Sequence, residues 1–209
     1  CRSLQAEANI WKGDGAALAQ AAETLSILPP GTARWFRTST GLLFAAGQVA
    51  DFGEVVRSIK TLREAKAVDD DRSTASYEAW ACSMATWILV LIGMYDLANE
   101  FYDRACALEG KIDEAGSGWI AIAGMFVNKY MRRDPWAALA STLRGRERFR
   151  EIGDFRLLVL SDVLHGSCLV DLGAYEEAQK ILDDTLVVCE RLDLQAARGD
   201  VKRWLGHTM

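Results

Sequence analysis

The sequence has little proline, little histidine and no long hydrophobic run. Only 3 of its 209 residues are Pro and only 2 are His. Few prolines leave helices uninterrupted, and a catalytic centre that needs His has only His165 and His207 to draw on. The longest apolar run, from Met84 to Met94, is about half as long as a membrane-spanning helix requires. The sequence therefore argues against an enzyme and against a membrane partner.

An excess of basic charge is also missing. The 24 Lys and Arg residues are outnumbered by 29 Asp and Glu residues, which gives a net charge of −5. This balance argues against binding of nucleic acid over the whole protein surface. Apolar residues make up 50% of the chain and charged residues 25%. This is the balance of a folded soluble chain rather than a disordered or fibrous one.

The cysteines do not have the pattern of a disulfide framework. The 5 Cys are odd in number and widely spaced, and the sequence has no Asn-x-Ser/Thr glycosylation site, so a secreted disulfide-rich domain is not indicated. We expect a cytoplasmic protein with reduced thiols that pack as small apolar residues. The start at Cys1, without Met or a targeting segment, predicts a piece of a longer polypeptide.

The spacing of apolar residues predicts an all-helical protein. Apolar residues recur at intervals of three and four almost throughout, and no stretch alternates with period two. Gly, Pro and Asp punctuate this pattern and divide the chain into about eleven helices. The clearest start is Asp134 before Pro135, because an Asp side chain accepts an unpaired amide and Pro fits the first helical turn.

A motif of similar form recurs along the chain. Leu172–Ala178 resembles Ile92–Ala98 and Val49–Val55. At matching positions, each segment has an apolar residue, a small residue, an aromatic residue and a final residue that is small or β-branched. Equivalent points are separated by 37, 43, 40 and 40 residues, with a mean of 40. They are Gly15, Phe52, Tyr95, Pro135 and Tyr175.

This period predicts a stack of helical hairpins. A two-helix unit with one apolar face cannot bury that face alone, so successive units must pack against each other. We therefore predict an all-α right-handed α-solenoid of about five helix-turn-helix repeats in a single domain, truncated at both ends. The predicted units lie near residues 1–30, 31–70, 71–112, 113–153 and 154–193, with a partial sixth unit at 194–209.

The motif resembles the tetratricopeptide repeat. The residues that carry the resemblance are the Gly-x-Tyr-x-x-Ala pattern at Gly173, Tyr175 and Ala178, with Gly166 seven residues upstream. The period is longer than the usual repeat of about 34 residues. In this respect the chain is similar to the long repeats at the C-terminal side of large bacterial signalling proteins, which follow an ATPase module or a Ser/Thr kinase domain, and to those of maltose-regulator-type activators. The resemblance implies a TPR-like regulatory segment.

A row of mostly aromatic residues is predicted on the concave face. In a stacked array the first helix of each unit lines that face, and aromatic side chains there offer a partner a large contact area at a small cost in entropy. The alternative is that these residues form the core between repeats. The candidates are Phe44, Trp80, Trp87, Val127 and Tyr130.

A basic cluster extends from Lys129 to Arg156 and has two interpretations. Phosphate groups of a nucleic acid can bind such a cluster. A solvated helix face is favoured, because Glu147 and Glu151 lie within helical reach of the arginines. The candidate residues of the patch are Arg132, Arg133, Arg144 and Arg148.

No combination of residues predicts a metal or a cofactor. Asp162, His165 and Cys168 share one helix face, but ligands on one helix without a second cluster are a weak signal. Gly13-Asp14-Gly15 and Gly110-Lys111 lack the remaining residues of a dinucleotide or phosphate loop. We therefore predict neither a metal nor a cofactor.

These observations predict a binding function rather than catalysis. The first hypothesis is a protein-protein interaction scaffold or a regulatory sensor segment, which docks a protein, a peptide or another domain of its parent chain on the concave face. The alternative is a sensor domain that binds a small effector, as the resemblance to the maltose-regulator type implies. An enzyme ranks last, and a homo-oligomer remains open.

Overall fold

The structure is a computed structural model that describes residues 16–208. Within that range the chain is entirely helical, as the apolar spacing predicts, and contains no strand. It forms ten α-helices and one short π-helical segment. The helices are α1 (Ala17–Ile27), α2 (Ala33–Gln48), α3 (Phe52–Glu64), α4 (Arg72–Leu91), α5 (Tyr95–Cys106), α6 (Glu114–Phe126), the π-helical segment (Val127–Met131), α7 (Pro135–Ile152), α8 (Phe155–Asp171), α9 (Tyr175–Arg191) and α10 (Gln195–Leu205).

Aspartate side chains begin half of these helices. At the start of α7, Asp134 Oδ1 accepts the amide of Ala137 at 2.9 Å and Pro135 is the first helical residue, which confirms the predicted start. An N-cap Asp satisfies an amide that has no partner inside the helix. The same arrangement begins α3, α4, α6 and α8 at Asp51, Asp71, Asp113 and Asp154.

Left-handed residues end several of the helices. Gly93 and Gly173 have φ angles of 79° and 76° in the turns after α4 and α8. Ala50 takes the equivalent position after α2 with a φ of 55°. These turns reverse the chain between the two helices of a pair, and the repeated sequence motif lies on them.

Each helix packs against its sequence neighbours. Helix α2 contacts α3 and α4, α4 contacts α5 and α6, and α8 contacts α9 and α10. Between α6 and α8, the intervening helix α7 packs extensively against both. Four of the predicted units, near 31–70, 71–112, 113–153 and 154–193, each hold one pair of helices. The first residues of the predicted unit near 1–30 lie outside the described part of the chain.

The apolar interior has a large cluster and a smaller C-terminal one. The large cluster extends from α2 to α8 and includes the buried rings of Phe36, Phe101 and Phe149. The smaller cluster joins α8, α9 and α10. Its buried residues are Val159, Val163, Leu182, Cys189, Leu194 and Val201.

Glycines allow the closest contacts between helices. A Cβ atom on Gly118 would lie 2.5 Å from the Phe149 ring, and one on Gly166 would lie 2.7 Å from the Leu182 side chain. The first pair joins α6 to α7, and the second joins α8 to α9. Gly166, the upstream glycine of the motif, therefore has a packing role, because a larger residue would force the two helices apart.

The cysteines of the described part of the chain are free thiols. Cys82, Cys168 and Cys189 are buried free thiols and Cys106 is half-buried. Between residues 16 and 208, no helix has the length and hydropathy needed to span a membrane.

Candidate functional site: an apolar cleft beside two rows of aromatic rings

One row of rings crosses α2, α4 and α6. The centroid of Phe44 lies 6.0 Å from that of Trp87, which stacks on Phe126 at 4.8 Å. Phe126 in turn stacks on Tyr130 at 6.0 Å. The predicted residues Phe44, Trp87 and Tyr130 therefore belong to one row, joined through Phe126, which the sequence analysis did not single out.

A second row contains the remaining predicted tryptophan. Trp80 stacks on Trp119 with centroids 5.2 Å apart, and Tyr77 lies 6.1 Å from Trp80. Trp119 continues the row to Phe149 at 5.7 Å. Trp80 is half-buried, and its indole Nε1 is buried without a hydrogen-bond partner among the described residues. Trp80 thus contributes to the packing of α4 against α6.

Val127 has no accessible surface. It was predicted in the concave row, but it is completely buried. The reason is that α6 and the π-helical segment that follows it are enclosed by α4 and α7, so the apolar residues there face a helix on most sides. Val127 can therefore stabilise the fold but cannot contact a partner.

A cleft of about 410 Å³ lies between the two halves of the described chain. One wall comes from the ends of α2 and α4 and the beginning of α3, and the other comes from α8 and α10. Phe44 and Trp87 line the first wall, and Leu160, Ala196 and Ala197 line the second. The other lining residues are Gly47, Gln48, Ala50, Phe52, Val55, Met84, Ile88, Leu91, Ile92 and Asp200.

Asp200 is the one ionisable residue among those that line the cleft. Its side chain is 54% exposed, and its Oδ1 accepts a hydrogen bond from Arg203 Nη2 at 3.0 Å. Partial burial against the cleft raises the pKa of Asp200, while Arg203 acts in the opposite direction. The cleft is therefore an apolar space with a single carboxylate at its edge.

Lys129 holds α10 in position, and α10 forms part of the second wall of the cleft. Its side chain is 7% exposed, and Nζ lies 2.8 Å from Asp171 Oδ2. Nζ also donates to the backbone oxygen and the hydroxyl of Ser167, both at 3.2 Å, and lies 4.5 Å from the ring centroid of Trp204. One buried cation thus joins the π-helical segment to α8 and α10.

The arginines of the predicted basic patch bind neighbouring side chains. Arg132 donates to Asn128 Oδ1 and Arg144 donates to Ser141 Oγ, each at 3.0 Å. Arg148 donates to Glu151 Oε2 at 3.0 Å, the type of pair that the favoured interpretation predicts. Arg133 lies in the turn before α7 with a φ of 55°. These contacts describe a charged outer surface rather than an assembled phosphate site.

The three residues that share one face of α8, and that the sequence offers only as a weak metal signal, each have other surroundings. Asp162 accepts a hydrogen bond from Arg146 Nε, and Cys168 Sγ lies 3.7 Å from Thr142 Oγ1. The Nδ1 atom of His165 is buried without a hydrogen-bond partner among the described residues. Across residues 16–208, no three His, Cys, Asp or Glu side chains are arranged to hold a metal ion.

His165 has a depressed pKa. Burial is the main cause, because it disfavours the imidazolium ion, and the positive charge of Arg146 adds to the effect. Asp162 and Glu177 act in the opposite direction. The folded chain therefore favours the neutral imidazole.

We expect this histidine to lower stability in mild acid. An unfolded His titrates near about pH 6.5, and the folded form binds the proton less readily. The unfolded state therefore takes up the proton first, so stability present above that pH declines below it, down to the folded pKa. Urea midpoints of wild type and His165→Gln at about pH 7.5 and about pH 5.5 measure this contribution. His207→Gln, at an exposed His, should keep the wild-type difference, and an unchanged difference in His165→Gln would contradict the assignment.

The aromatic residues of the repeated motif are exposed. Phe52, Tyr95 and Tyr175 are 60%, 45% and 50% exposed, and Trp136, next to the motif position Pro135, is 70% exposed. Each begins, or nearly begins, the second helix of a pair. These positions reveal the repeat period in the sequence, but they were not predicted to be exposed. Their recurrence with that period is the sequence signal that could have identified these exposed aromatic residues.

The comparisons add no relative: no family model, curated protein or solved structure matches this chain. The cleft and the exposed aromatic residues are therefore the features that bear on function.

Proposed function

We propose that this chain is a TPR-like binding domain, a right-handed solenoid of about five helical repeats, which serves as a regulatory or sensor segment of a larger cytoplasmic bacterial signalling protein. The observation that carries the proposal is the cleft between α2–α4 and α8–α10. The order of helix contacts, in which each pair packs on the next, supports the stacked arrangement.

The dimensions of the cleft are those of a small-molecule site. Small-molecule sites have volumes of roughly 300–1,000 Å³ and are mostly apolar with a few polar groups. The 410 Å³ cleft falls within this range, and one carboxylate stands among its mostly apolar lining residues. The alternative of the sequence analysis, a small-molecule sensor, is therefore the form of the proposal that the geometry supports best.

The position of the cleft gives ligand binding a way to regulate the arrangement of the helices. Its walls come from helices that are far apart in the sequence, namely α2 and α4 on one side and α8 and α10 on the other. A ligand that contacts both walls stabilises the arrangement in which they are close, and it shifts the population toward that arrangement. Through this shift, occupancy of the cleft can be transmitted to segments that flank the domain.

Thermal unfolding with a panel of small amphipathic molecules tests the proposal. A ligand at a hundredfold excess over its Kd should add about 2.7 kcal/mol to the free energy of unfolding. Gly47→Leu adds a side chain at a residue that lines the cleft, where a Cβ atom lies at an ordinary contact distance of 3.6 Å from Ile88, and it should abolish the shift. Gly199→Leu, where a Cβ meets nothing within 4 Å, should preserve the shift. No shift with any compound, or a full shift in Gly47→Leu, would contradict the proposal.

A protein partner is the second candidate, and the exposed aromatic residues favour it. Exposed aromatic rings are the residues most often found at the energetic centre of protein interfaces. A photo-crosslinking residue at Trp136 or Tyr175, introduced in cells, should trap the same partner. A crosslinker at exposed Asp103, near the opposite end of α5 from Tyr95, serves as control. Absence of a common product at the two aromatic positions, or the same product at all three, would exclude this docking surface.

Trp80 and Trp87, which the sequence predicts to dock a partner, have a separate test. Trp80→Gln and Trp87→Gln should weaken capture of a partner and preserve helicity if these rings bind it. Because Trp80 stacks on Trp119 and Trp87 stacks on Phe126, we expect partial loss of stability instead. Circular dichroism during thermal unfolding distinguishes the two outcomes.

A further inference from the structure

The cleft offers an apolar ligand two aromatic side chains on one side. Phe44 and Trp87 line this wall, and Met84 lies beside them. The other side is lined by Leu160, Ala196 and Ala197, and the small side chains of the two alanines leave room for a flat or branched hydrocarbon group. A ligand body that fits here is therefore apolar and gains most of its binding from burial against these surfaces.

A negative charge stands at the edge of this apolar space. Asp200 Oδ1 accepts a hydrogen bond from Arg203, which lies on the same helix, and Oδ2 has no partner among the described residues. A carboxylate can accept several hydrogen bonds at once, so this oxygen is available to a donor in the cleft. Because the side chain lines the cleft and is 54% exposed rather than fully solvated, the carboxylate gains somewhat more from a cation than a fully solvated one does.

The helix ends at the cleft add to this negative potential. Gln48 ends α2 and Leu91 ends α4, and both residues line the cleft. A helix C-terminus carries about half a negative charge. The first turn of α10 opposes this with about half a positive charge, and the beginning of α3 is compensated by the carboxylate of its N-cap residue Asp51. Even with the charge of Asp200 offset by its ion pair with Arg203, two helix C-termini outweigh one helix N-terminus.

We propose that the natural occupant of the cleft is a small molecule with an apolar body and one cationic group, such as a hydrophobic amine. Its apolar part lies against Phe44 and Trp87, and its cationic group binds Asp200. This inference rests on the proposed small-molecule function of the cleft, and it adds the chemical class of the ligand.

Three probes of equal size and different charge test the ligand class. They are 2-(1-naphthyl)ethylamine, 2-(1-naphthyl)ethanol and 1-naphthaleneacetate, each titrated into the wild-type chain by isothermal calorimetry. We expect the amine to bind about tenfold more tightly than the alcohol and the carboxylate to bind most weakly. The advantage of the amine over the alcohol should shrink as NaCl rises from about 50 to about 500 mM, because salt screens the ion pair.

Variants of two aspartates locate the charge that selects the amine. Asp200→Asn keeps the shape of the side chain and should bring the affinity for the amine down to that for the alcohol, with the affinity for the alcohol unchanged. Asp183→Asn, at an exposed position on α9 that does not line the cleft, should behave as the wild type. If Asp200→Asn retains the full preference for the amine, the proposed cation site is wrong.

The outcomes separate this inference from the proposed function. If the amine and the alcohol bind equally and Gly47→Leu abolishes both, the cleft is a binding site and its preference for a cation is refuted. If the carboxylate binds best, the N-terminus of α10 dominates and the inference is overturned. If none of the three probes binds to the wild type, both the inference and the small-molecule function fail.

Discussion

Replacing Arg104 by Ala is expected to lower the free energy of unfolding by about 3–5 kcal/mol. The Arg104 guanidinium donates from Nε and Nη2 to Glu78 Oε1, at 2.9 Å and 2.6 Å. It also donates to the backbone oxygens of Leu62 and Ala65, at 2.9 Å and 2.7 Å. One side chain thus joins α5 to α4 and satisfies carbonyl groups at the C-terminal end of α3.

The size of this effect follows from the environment of Glu78. Its carboxylate is buried, and the neighbouring thiol of Cys82 has its pKa raised to about 12 by burial. In such surroundings a charge that loses its partner cannot be compensated by water, so breaking the pair costs more than the pair itself contributes. The double variant Arg104→Met and Glu78→Met should recover the part of the loss that comes from the unpaired charge. The part that comes from the carbonyls of Leu62 and Ala65 should remain, because they still lack the Arg104 donor.

A matched surface pair provides the control for Arg104. Arg63 binds Glu100 through two hydrogen bonds of 2.8 Å and 2.7 Å, but both side chains are largely exposed. Arg63→Ala should therefore have a much smaller effect on the free energy of unfolding, because water and salt screen an exposed ion pair. Urea denaturation followed by circular dichroism measures both variants. Similar losses for Arg104→Ala and Arg63→Ala would show that burial does not determine the strength of the Arg104 contacts.

Gly31→Ala is expected to destabilise the chain by about 3 kcal/mol, the second large effect. Gly31 has a φ of 84°, and a Cβ atom there would lie 1.9 Å from the backbone oxygen of Lys66. The left-handed conformation costs a residue other than Gly about 1–2 kcal/mol, and forcing the backbone apart adds about 1–3 kcal/mol. Displacing this segment also weakens the hydrogen bond of 3.1 Å from Val68 N to Gly31 O.

Gly173 separates the two contributions. Its φ of 76° is similar, but a Cβ atom there meets nothing within 4 Å. Gly173→Ala should therefore cost only the conformational part, about 1–2 kcal/mol. The difference between the two variants in urea denaturation measures the collision with Lys66. If both substitutions cost the same, the contact between the α3–α4 connection and the start of α2 is looser than the structure indicates.

Helix type and helix boundaries were predictable because their causes are local. The Asp134-Pro135 start was identified from two adjacent residues, and the turns at Gly93 and Gly173 were identified from single glycines. Capping and left-handed turns depend on side chains within a few residues. The repeat period could be measured for the same reason, since each motif contains its own turn.

The cleft was only partly predictable. Phe44 and Trp87 were assigned to a binding surface from helical spacing, and both line the cleft. Asp200 and Lys129 were not assigned to it. Lys129 was noted only as one charge in a basic stretch, whereas its ion-pair partner Asp171 is 42 positions away. Contacts between residues so far apart in the sequence depend on how pairs of helices pack, so no local sequence pattern indicates them.

The sequence by itself determined that this chain is helical, where its helices begin and end, and which residues recur with a period near 40. These properties follow from hydrogen bonds and side-chain spacing within a turn or two of helix. Only the tertiary structure decided that Val127 is enclosed, that the motif aromatics are exposed, and that α10 approaches α2 and α4 to form a cleft. The exposure of a residue depends on the summed angles between successive helices, and small differences in each angle accumulate along the chain.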